Sequence, residues 1–262
     1  MGKKGSAVLA KKILRGWRTA APSFVMPGTV GENCRFLAGK ADEVGIVFFQ
    51  TRASLDYGPD DLPPDMAGLG LDYHVHLPLD LPWDKGPDEV ARLVRLLARK
   101  VEFLGPRNYV LHPPGGAQGP EFLQRFVNRS ARFGLGPDKL VLENVEECGL
   151  VEIWPLIMES GCKVCLDLGH MLAYSQTEIL ALPGLWERVE MFHIYSPGKP
   201  GPKPGHVHAS LAGLDREGRA LLREMAFKAA PGGTIMFEIF DWPGVSESIE
   251  LFRTWAGEWE KE

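Results

Sequence analysis

Val164-Cys165-Leu166-Asp167-Leu168-Gly169-His170, near the middle of the chain, decides how the rest is read. An apolar run that ends in an acid, with a histidine three residues on, reads as a buried β-strand. It delivers polar groups at its C-terminal end, where an α/β barrel keeps its functional side chains. The other histidines stand in comparable settings: Tyr73-His74-Val75-His76-Leu77-Pro78, Val110-Leu111-His112-Pro113, Phe192-His193-Ile194 and Gly205-His206-Val207-His208.

Outward from that strand, short apolar or β-branched runs alternate with longer amphipathic ones. Strands are expected over residues 22–26, 44–50, 72–77, 109–112, 140–144, 163–168, 191–195 and 234–239. Helices are expected over 32–40, 62–69, 88–103, 121–133, 150–159, 177–189, 216–229 and 246–259. The helical pattern is clearest where Val90, Leu93, Val94, Leu97 and Val101 recur at three- and four-residue steps after a Gly-Pro start. Eight β-then-α units in a chain of 262 residues predict a (β/α)8 TIM barrel. An open doubly wound sheet is disfavoured, because no glycine-rich pyrophosphate loop follows the first strand and the polar residues gather at many strand ends.

The composition, 45% hydrophobic and 24% charged, suits one globular domain. That domain is expected over residues 22–262, after a basic extension over 1–21. Six basic residues, Lys3, Lys4, Lys11, Lys12, Arg15 and Arg18, precede the first acid, so the remainder is more acidic than the net charge of −5 suggests. An acidic body argues against a large duplex-DNA footprint. No apolar run reaches the length of a membrane span, and Lys11 and Lys12 break the short run Ala7-Val8-Leu9-Ala10 before it could act as a signal peptide. The expectation is a soluble, cytoplasmic protein with a small-molecule substrate, no nucleic acid and no membrane, and a homodimer as an option. Met1-Gly2-Lys3-Lys4-Gly5-Ser6 formally matches a myristoylation pattern, but a polar tail is the simpler reading. Cys162 and Cys165 have C-x-x-C spacing; in a strand they face opposite ways and read as buried thiols.

Period-two alternation places His74 and His76 on one face of the third strand, His112 at the end of the fourth, Glu143 on the fifth, Asp167 on the sixth, His193 on the seventh and Glu238 on the eighth. Each alone could be a hydrogen-bonded core residue. Converging in one barrel mouth, they would be costly to desolvate unless paired or bound to cations. The mixed carboxylate and imidazole set suits zinc, or manganese or iron, better than calcium or magnesium. Trp83, Tyr174, Trp242 and Tyr57 lie just beyond strand ends, where they either line a wide apolar mouth or anchor loops. Lys199 and Lys203, in the Pro/Gly-rich stretch 196–205, are either phosphate contacts or part of a solvated loop.

The order of these motifs resembles the xylose-isomerase-like barrel superfamily, which includes sugar isomerases and epimerases and the endonuclease IV type of apurinic endonuclease. That resemblance implies a metal core of Glu143, Asp167, His193 and Glu238. Its multinuclear phosphoesterase branch adds histidines that fall on His76 (or His74), His112, His170 and His208 (or His206). More narrowly, Tyr-His-Val-His-Leu-Pro-Leu-Asp, followed by Leu-His-Pro, Leu-Glu-Asn and Leu-Asp-Leu-Gly-His, resembles the cobamide-remodelling phosphodiesterase family of corrinoid salvage. This implies hydrolysis of the nucleotide-loop phosphodiester of a cobamide with one to three divalent ions. Glu143, Glu238, His170 and His206 are then the expected catalytic groups, and His74, Lys199, Lys203 and Trp242 the expected substrate contacts. Where many members of the superfamily have a glutamate near the end of strand 2, this chain has Phe48-Phe49-Gln50. The alternatives are a manganese sugar isomerase or epimerase using Glu143 and Glu238 as an acid/base pair, and a non-catalytic corrinoid or metal carrier.

Overall fold

The computed structural model describes residues 16–198 and 207–261; the first fifteen residues and Lys199, Lys203 and His206 lie outside these. Eight parallel strands close into a barrel in sequence order: β1 (Arg18–Pro22), β2 (Glu43–Val47), β3 (Asp72–His76), β4 (Tyr109–Leu111), β5 (Leu140–Glu143), β6 (Lys163–Asp167), β7 (Val189–Ile194) and β8 (Thr234–Phe237). The seam is parallel pairing of β1 with β8, Arg18 opposite Thr234 and Ala20 opposite Met236. Among the described residues, no helix is long and apolar enough to cross a membrane.

Strand alternation sorts the side chains into two cores. Tyr73, Val75, Leu140, Leu142, Val164, Leu166, Phe192 and Ile194 face outward into a layer shared with the helices. In the helix Pro87–Val101, which follows β3, Val90, Leu93, Val94, Leu97 and Val101 are buried, so the three- and four-residue spacing is its inward stripe. Proline at its first turn, Asp88 and Glu89 there and Arg99 and Lys100 in its last turn all suit helix start and end.

Inward-facing residues stack in layers. A lower layer joins Arg18, Glu43 and Thr234: Arg18 Nε donates to Glu43 Oε2 at 2.7 Å and Thr234 Oγ1 donates to the same oxygen at 2.9 Å. Above it lie Val110, Val141, Cys165 and Met191, with Ala20 and Met236 across the barrel. His74 fills this middle layer, and Gly45 makes room for it: a β-carbon at Gly45 would sit 2.6 Å from His74 Nε2. The next residue inward on β3 is His76, which starts the upper layer.

Several expected boundaries move. The first strand is Arg18–Pro22, not 22–26, because Arg18 and Thr19 pair with Glu43 and Asp42 while Ser23 onward bends over the barrel mouth. No long helix spans 177–189: Pro183-Gly184 interrupts the pattern, leaving a 3-10 turn at Thr177–Ala181. A helix forms at once after β6, Leu168–Tyr174, with Asp167 as N-cap accepting from the His170 amide at 2.6 Å. The expected helix over 62–69 is a 3-10 segment, Pro64–Gly68, and a short helix at Thr51–Asp56 was not expected. Cys165 lies inside the barrel and Cys162 in the outer core, both free and buried, and burial pushes Cys165 up to about 12.

Candidate metal centre

Every strand from β3 to β8 contributes to one cluster at its C-terminal end. His76, Glu143, Asp167 and His193 close their strands or sit one residue short of the end; His112 and Glu238 follow β4 and β8 directly. His170 comes from the first turn of the helix that Asp167 caps, and His208 from the segment bridging back to Ser196. Glu143 is central. Its Oε2 is 3.2 Å from both His76 Nε2 and His112 Nε2, and its Oε1 is 3.2 Å from His193 Nδ1 and 3.5 Å from His170 Nδ1. Glu238 Oε2 faces His193 Nδ1 at 3.4 Å and His208 Nδ1 at 3.5 Å.

Partners outside the cluster orient these rings. His76 Nδ1 bonds the Leu77 carbonyl at 2.9 Å, which turns Nε2 toward Glu143. His170 Nδ1 bonds the Asn144 carbonyl at 2.8 Å, and His208 Nδ1 the Glu238 carbonyl at 2.6 Å. Asn144 is the common support: its Oδ1 accepts from the Asp167 amide at 2.8 Å and its Nδ2 donates to the Asp167 carbonyl at 3.2 Å. Gln176 backs Asn144, accepting from Nδ2 at 3.1 Å and donating to the Val145 carbonyl at 2.7 Å.

The electrostatics are those of a crowded buried acid cluster. Burial, with the charges of Glu143 and Glu238, pushes Asp167 well above the usual carboxylate range. Burial also opposes the charge of Glu143, but His193 and His112 outweigh it and hold Glu143 well below its ordinary value. His193 chiefly offsets burial at Glu238, lowering it to about 2. Burial opposes protonation of His193 and His76 too; Cys165, Glu238 and Glu143 overcome it at His193, and the adjacent Glu143 carboxylate does so at His76, so both are raised. His208 goes the other way, lowered chiefly by burial.

This arrangement fits a divalent cation. Glu143 Oε2 and Asp167 Oδ2 are buried without a hydrogen bond, although imidazole nitrogens stand close by. A buried carboxylate oxygen in that condition is costly, and cation coordination would satisfy it. Two sets have donor atoms all within 4.8 Å of one another: Glu143, Asp167, His193 and Glu238, and His76, Glu143 and His193. These residues could hold a metal ion.

The cluster floors a cavity of about 170 Å³ lined by His76, His112, Glu143, His170, His208 and Glu238, with walls of Val47, Phe48, Phe49, Leu79 and Phe240. His74, expected to contact substrate, does not reach it: it is fully buried a layer below, Nδ1 at 2.6 Å from Glu43 Oε1 and Nε2 at 3.2 Å from Met236 Sδ. Trp242 is also outside the lining; it packs edge-on against Phe36 at 5.3 Å where the last helix, Trp242–Trp259, begins. Trp83 packs against Phe126 and Tyr57 against Phe48, so both anchor loops, while the Tyr174 ring stands 5.6 Å from His170. Gln50 is exposed, and strand 2 brings no acid to the cavity.

Sequence reasoning passed over Phe49, Tyr195 and Phe240. Each lies two residues beyond an inward residue, Val47, His193 and Glu238, so the period-two alternation that picked out the acids and histidines also marks these aromatics. Tyr195 is fully buried and stacks on His208 at 3.9 Å; burial and the carboxylates of Asp167, Glu238 and Glu143 keep its phenol well above the usual value. Gly169 is required here, because a β-carbon on it would overlap the Tyr195 ring.

The fold is that of the xylose-isomerase-like TIM barrels. Endonuclease IV from Thermus thermophilus superposes with a TM-score of 0.68 at 18% identity over 92% of this chain and 99% of its own. A D-tagatose 3-epimerase-like protein gives 0.68 at 16% identity over 93% and 98%. A sugar phosphate isomerase/epimerase from Parabacteroides distasonis ATCC 8503 gives 0.62 at 12% identity over 91% and 94%. No protein-family model and no curated protein sequence matches the chain. Because one similar fold is an endonuclease, the fold gives no ground for the expected exclusion of nucleic acid, which rested on charge alone.

Proposed function

We propose that this chain is a metal-dependent phosphodiesterase. The observation that carries the reading is the number of donors: five imidazoles, His76, His112, His170, His193 and His208, converge with Glu143, Asp167 and Glu238 in one cluster at the floor of the cavity. One tetrahedral or octahedral ion takes only about four to six ligands, so eight donors suit a site for more than one. Zinc fits this set, with manganese or iron as alternatives. Asp167, His193 and Glu238 would hold one ion, His76 and His112 another, and Glu143, facing both groups, would bridge them. When bound, such ions supply charge stabilisation for the phosphoryl oxygens and lower the pKa of water.

The residues of the chain do the rest. Hydrolysis adds water across one P–O ester bond, giving a monoester and an alcohol, so a proton must leave the water and another must reach the departing oxygen. His208, kept neutral near pH 7 by burial and bonded through Nδ1 to a carbonyl, presents Nε2 as a proton acceptor. His170, whose Nδ1–H is held by the Asn144 carbonyl, would supply the second proton from Nε2 to the departing oxygen when its ring carries both protons. The apolar walls exclude bulk water and strengthen these interactions.

The substrate we favour is the nucleotide-loop phosphodiester of a cobamide, on the motif likeness set out above. A cavity of about 170 Å³ accommodates the phosphodiester, and a macrocycle would lie across the mouth. Incubating the metal-loaded protein with adenosylcobalamin is expected to release the nucleoside. An epimer from a ketose panel, with no nucleoside released, would replace this reading with the isomerase one, which the facing pair Glu143 and Glu238 favours. Elemental analysis of protein purified without chelator should find a transition metal, and Glu143→Ala or Asp167→Ala should lose most of it.

A further inference from the structure

A second cavity, of about 520 Å³, lies outside the barrel, where β4 begins, beside the helix Pro87–Val101 and the stretch that follows the helix Gly119–Ser130. Left-handed glycines, Gly105 at φ 60° and Gly134 at φ 88°, end the two helical stretches, and both line the gap. One wall presents Arg95 and Arg99, four residues apart on one helix face; the other carries Phe133 and Lys139. Tyr109, the first residue of β4, turns outward into the gap, and its N–H donates to the Lys139 carbonyl at 2.8 Å, which fixes that lysine at the rim. Tyr109 is only 5% exposed, yet among the described residues its hydroxyl has no hydrogen-bond partner. Burial, with Glu102 adding to it, pushes this phenol up to about 12, so it stays a donor at neutral pH. Arg95, Arg99 and Lys139 make no ion pair with any described residue; Arg95 lies over the Phe133 ring at 5.9 Å. The arginines around them are committed instead: Arg92 to Glu89 at 2.7 Å, Arg107 to Asp72 at 3.3 Å, and Arg125 and Arg129 to Asp88 at 3.5 and 3.1 Å.

We infer that this gap binds a small organic phosphate: a phosphate monoester whose head lies among Arg95, Arg99 and Lys139 and whose body offers an oxygen to the Tyr109 hydroxyl. The site is separate from the metal centre and stands or falls independently of the reaction proposed there. A cation in the last turn suits the helix dipole, which accounts for Arg99. It does not account for Lys139, on the loop before β5, or for a buried phenol with no partner. Glu102 is the lone carboxylate of the lining, so three cations leave a surplus of two, which matches a monoester near pH 7 better than a singly charged diester. The arginine forks suit phosphate oxygens, and the volume falls in the range of small-molecule sites. A polynucleotide would need a continuing row of free cations. Here the row ends at Arg92, Arg107, Arg125 and Arg129, which are already paired.

The test is titration calorimetry with ribose 5-phosphate, inorganic phosphate and ribose, in about 0.15 M salt to screen weak surface attraction. It is run on the zinc-loaded protein and again after chelation, which separates phosphate held by the metal centre from phosphate held here. Both phosphates are expected to bind with and without zinc, and ribose is not. Arg99→Ala and Lys139→Ala should each weaken the zinc-independent binding about tenfold, and Arg99→Lys, which keeps the charge, should lose less. Tyr109→Phe should weaken ribose 5-phosphate about fivefold and leave inorganic phosphate unchanged, a split that a general loss of folding does not imitate. Affinity within about twofold of the parent in both Arg99→Ala and Lys139→Ala overturns the site. So does the failure of both phosphates to bind the chelated protein, or a single-stranded oligonucleotide that binds where they fail. Equal weakening of the two phosphates in Tyr109→Phe overturns the role given to the phenol.

Discussion

Replacing Asn144 by alanine separates support of the metal centre from ligation, because its side chain touches no ion-facing atom. It makes three buried hydrogen bonds, to the Asp167 amide, the Asp167 carbonyl and Gln176 Oε1, at 2.8, 3.2 and 3.1 Å. At roughly 1 kcal/mol net per bond, plus about 1 kcal/mol or more for the orphaned Asp167 N–H, truncation should cost about 4 kcal/mol of stability. Asp167 would lose the clamp that aims its carboxylate. The Asn144 backbone would still hold His170 Nδ1, so that ring should stay in place. Loss of such outer partners typically weakens metal affinity about 10- to 100-fold. Zinc affinity is measured by competition with a chromophoric chelator and stability by urea unfolding. Gln176→Ala, one bond further out, should show a smaller loss in both. A folded Asn144→Ala protein with zinc affinity within about 3-fold of the parent would refute the view that this amide positions Asp167.

Gly169→Ala should destabilise the protein by about 2 kcal/mol or more, since the new methyl must displace the buried Tyr195 ring and the His208 stacked on it; thermal unfolding reads this as a fall of several degrees. Cation uptake should release protons near pH 7, because His76 and His193 are raised in the cation-free protein and must lose their protons to ligate; affinity therefore falls as pH falls, and titration calorimetry in buffers of different ionisation heat measures the release. Burial alone would raise Glu43, but His74 and Arg18 lower it from 4.5 to about 2. Its folded value is depressed, so its contribution, about 3 kcal/mol, is present above about pH 4.5 and disappears as pH falls toward 2; the slope of stability against pH over that window should shrink in Glu43→Gln.

The barrel was legible because eight period-two runs recur with helical runs between them, and the ligand layer because acids and histidines are conspicuous at the ends of apolar strands. Direction was readable and depth was not. His74 and His76 share a face of β3, and only the neighbouring Glu43 and Gly45 decide that the first is a middle-layer residue and the second a site residue. Glu43 itself escaped notice because it opens its strand, where an acid looks like a solvated boundary. Phe49, Tyr195 and Phe240 were missed because only acids and histidines were followed inward: the first two lie inside the expected strands 44–50 and 191–195 and the third one residue past 234–239, but an aromatic at such a place looks like ordinary core. The helix expected over 177–189 failed because Pro183-Gly184 breaks it, and the helix that does follow β6, Leu168–Tyr174, starts at once under the Asp167 cap, where the expected strand still included Leu168.

The seam between β1 and β8 also governs the order in which the molecule can be completed. Arg18 donates to the Gly232 carbonyl and to Thr234 Oγ1, contacts that span 214 and 216 residues, and Thr234 in turn reaches Glu43 across 191. Until residue 234 has been made, Glu43 lacks a hydroxyl partner and the first strand lacks a neighbour on one side. A nascent chain ending before residue 232 therefore presents β1 as an open edge, a template for pairing with other chains. His193 and Glu238, the candidate ligands from β7 and β8, come from the last third of the sequence, so the four-residue set with Glu143 and Asp167 is complete only when those strands have joined the barrel.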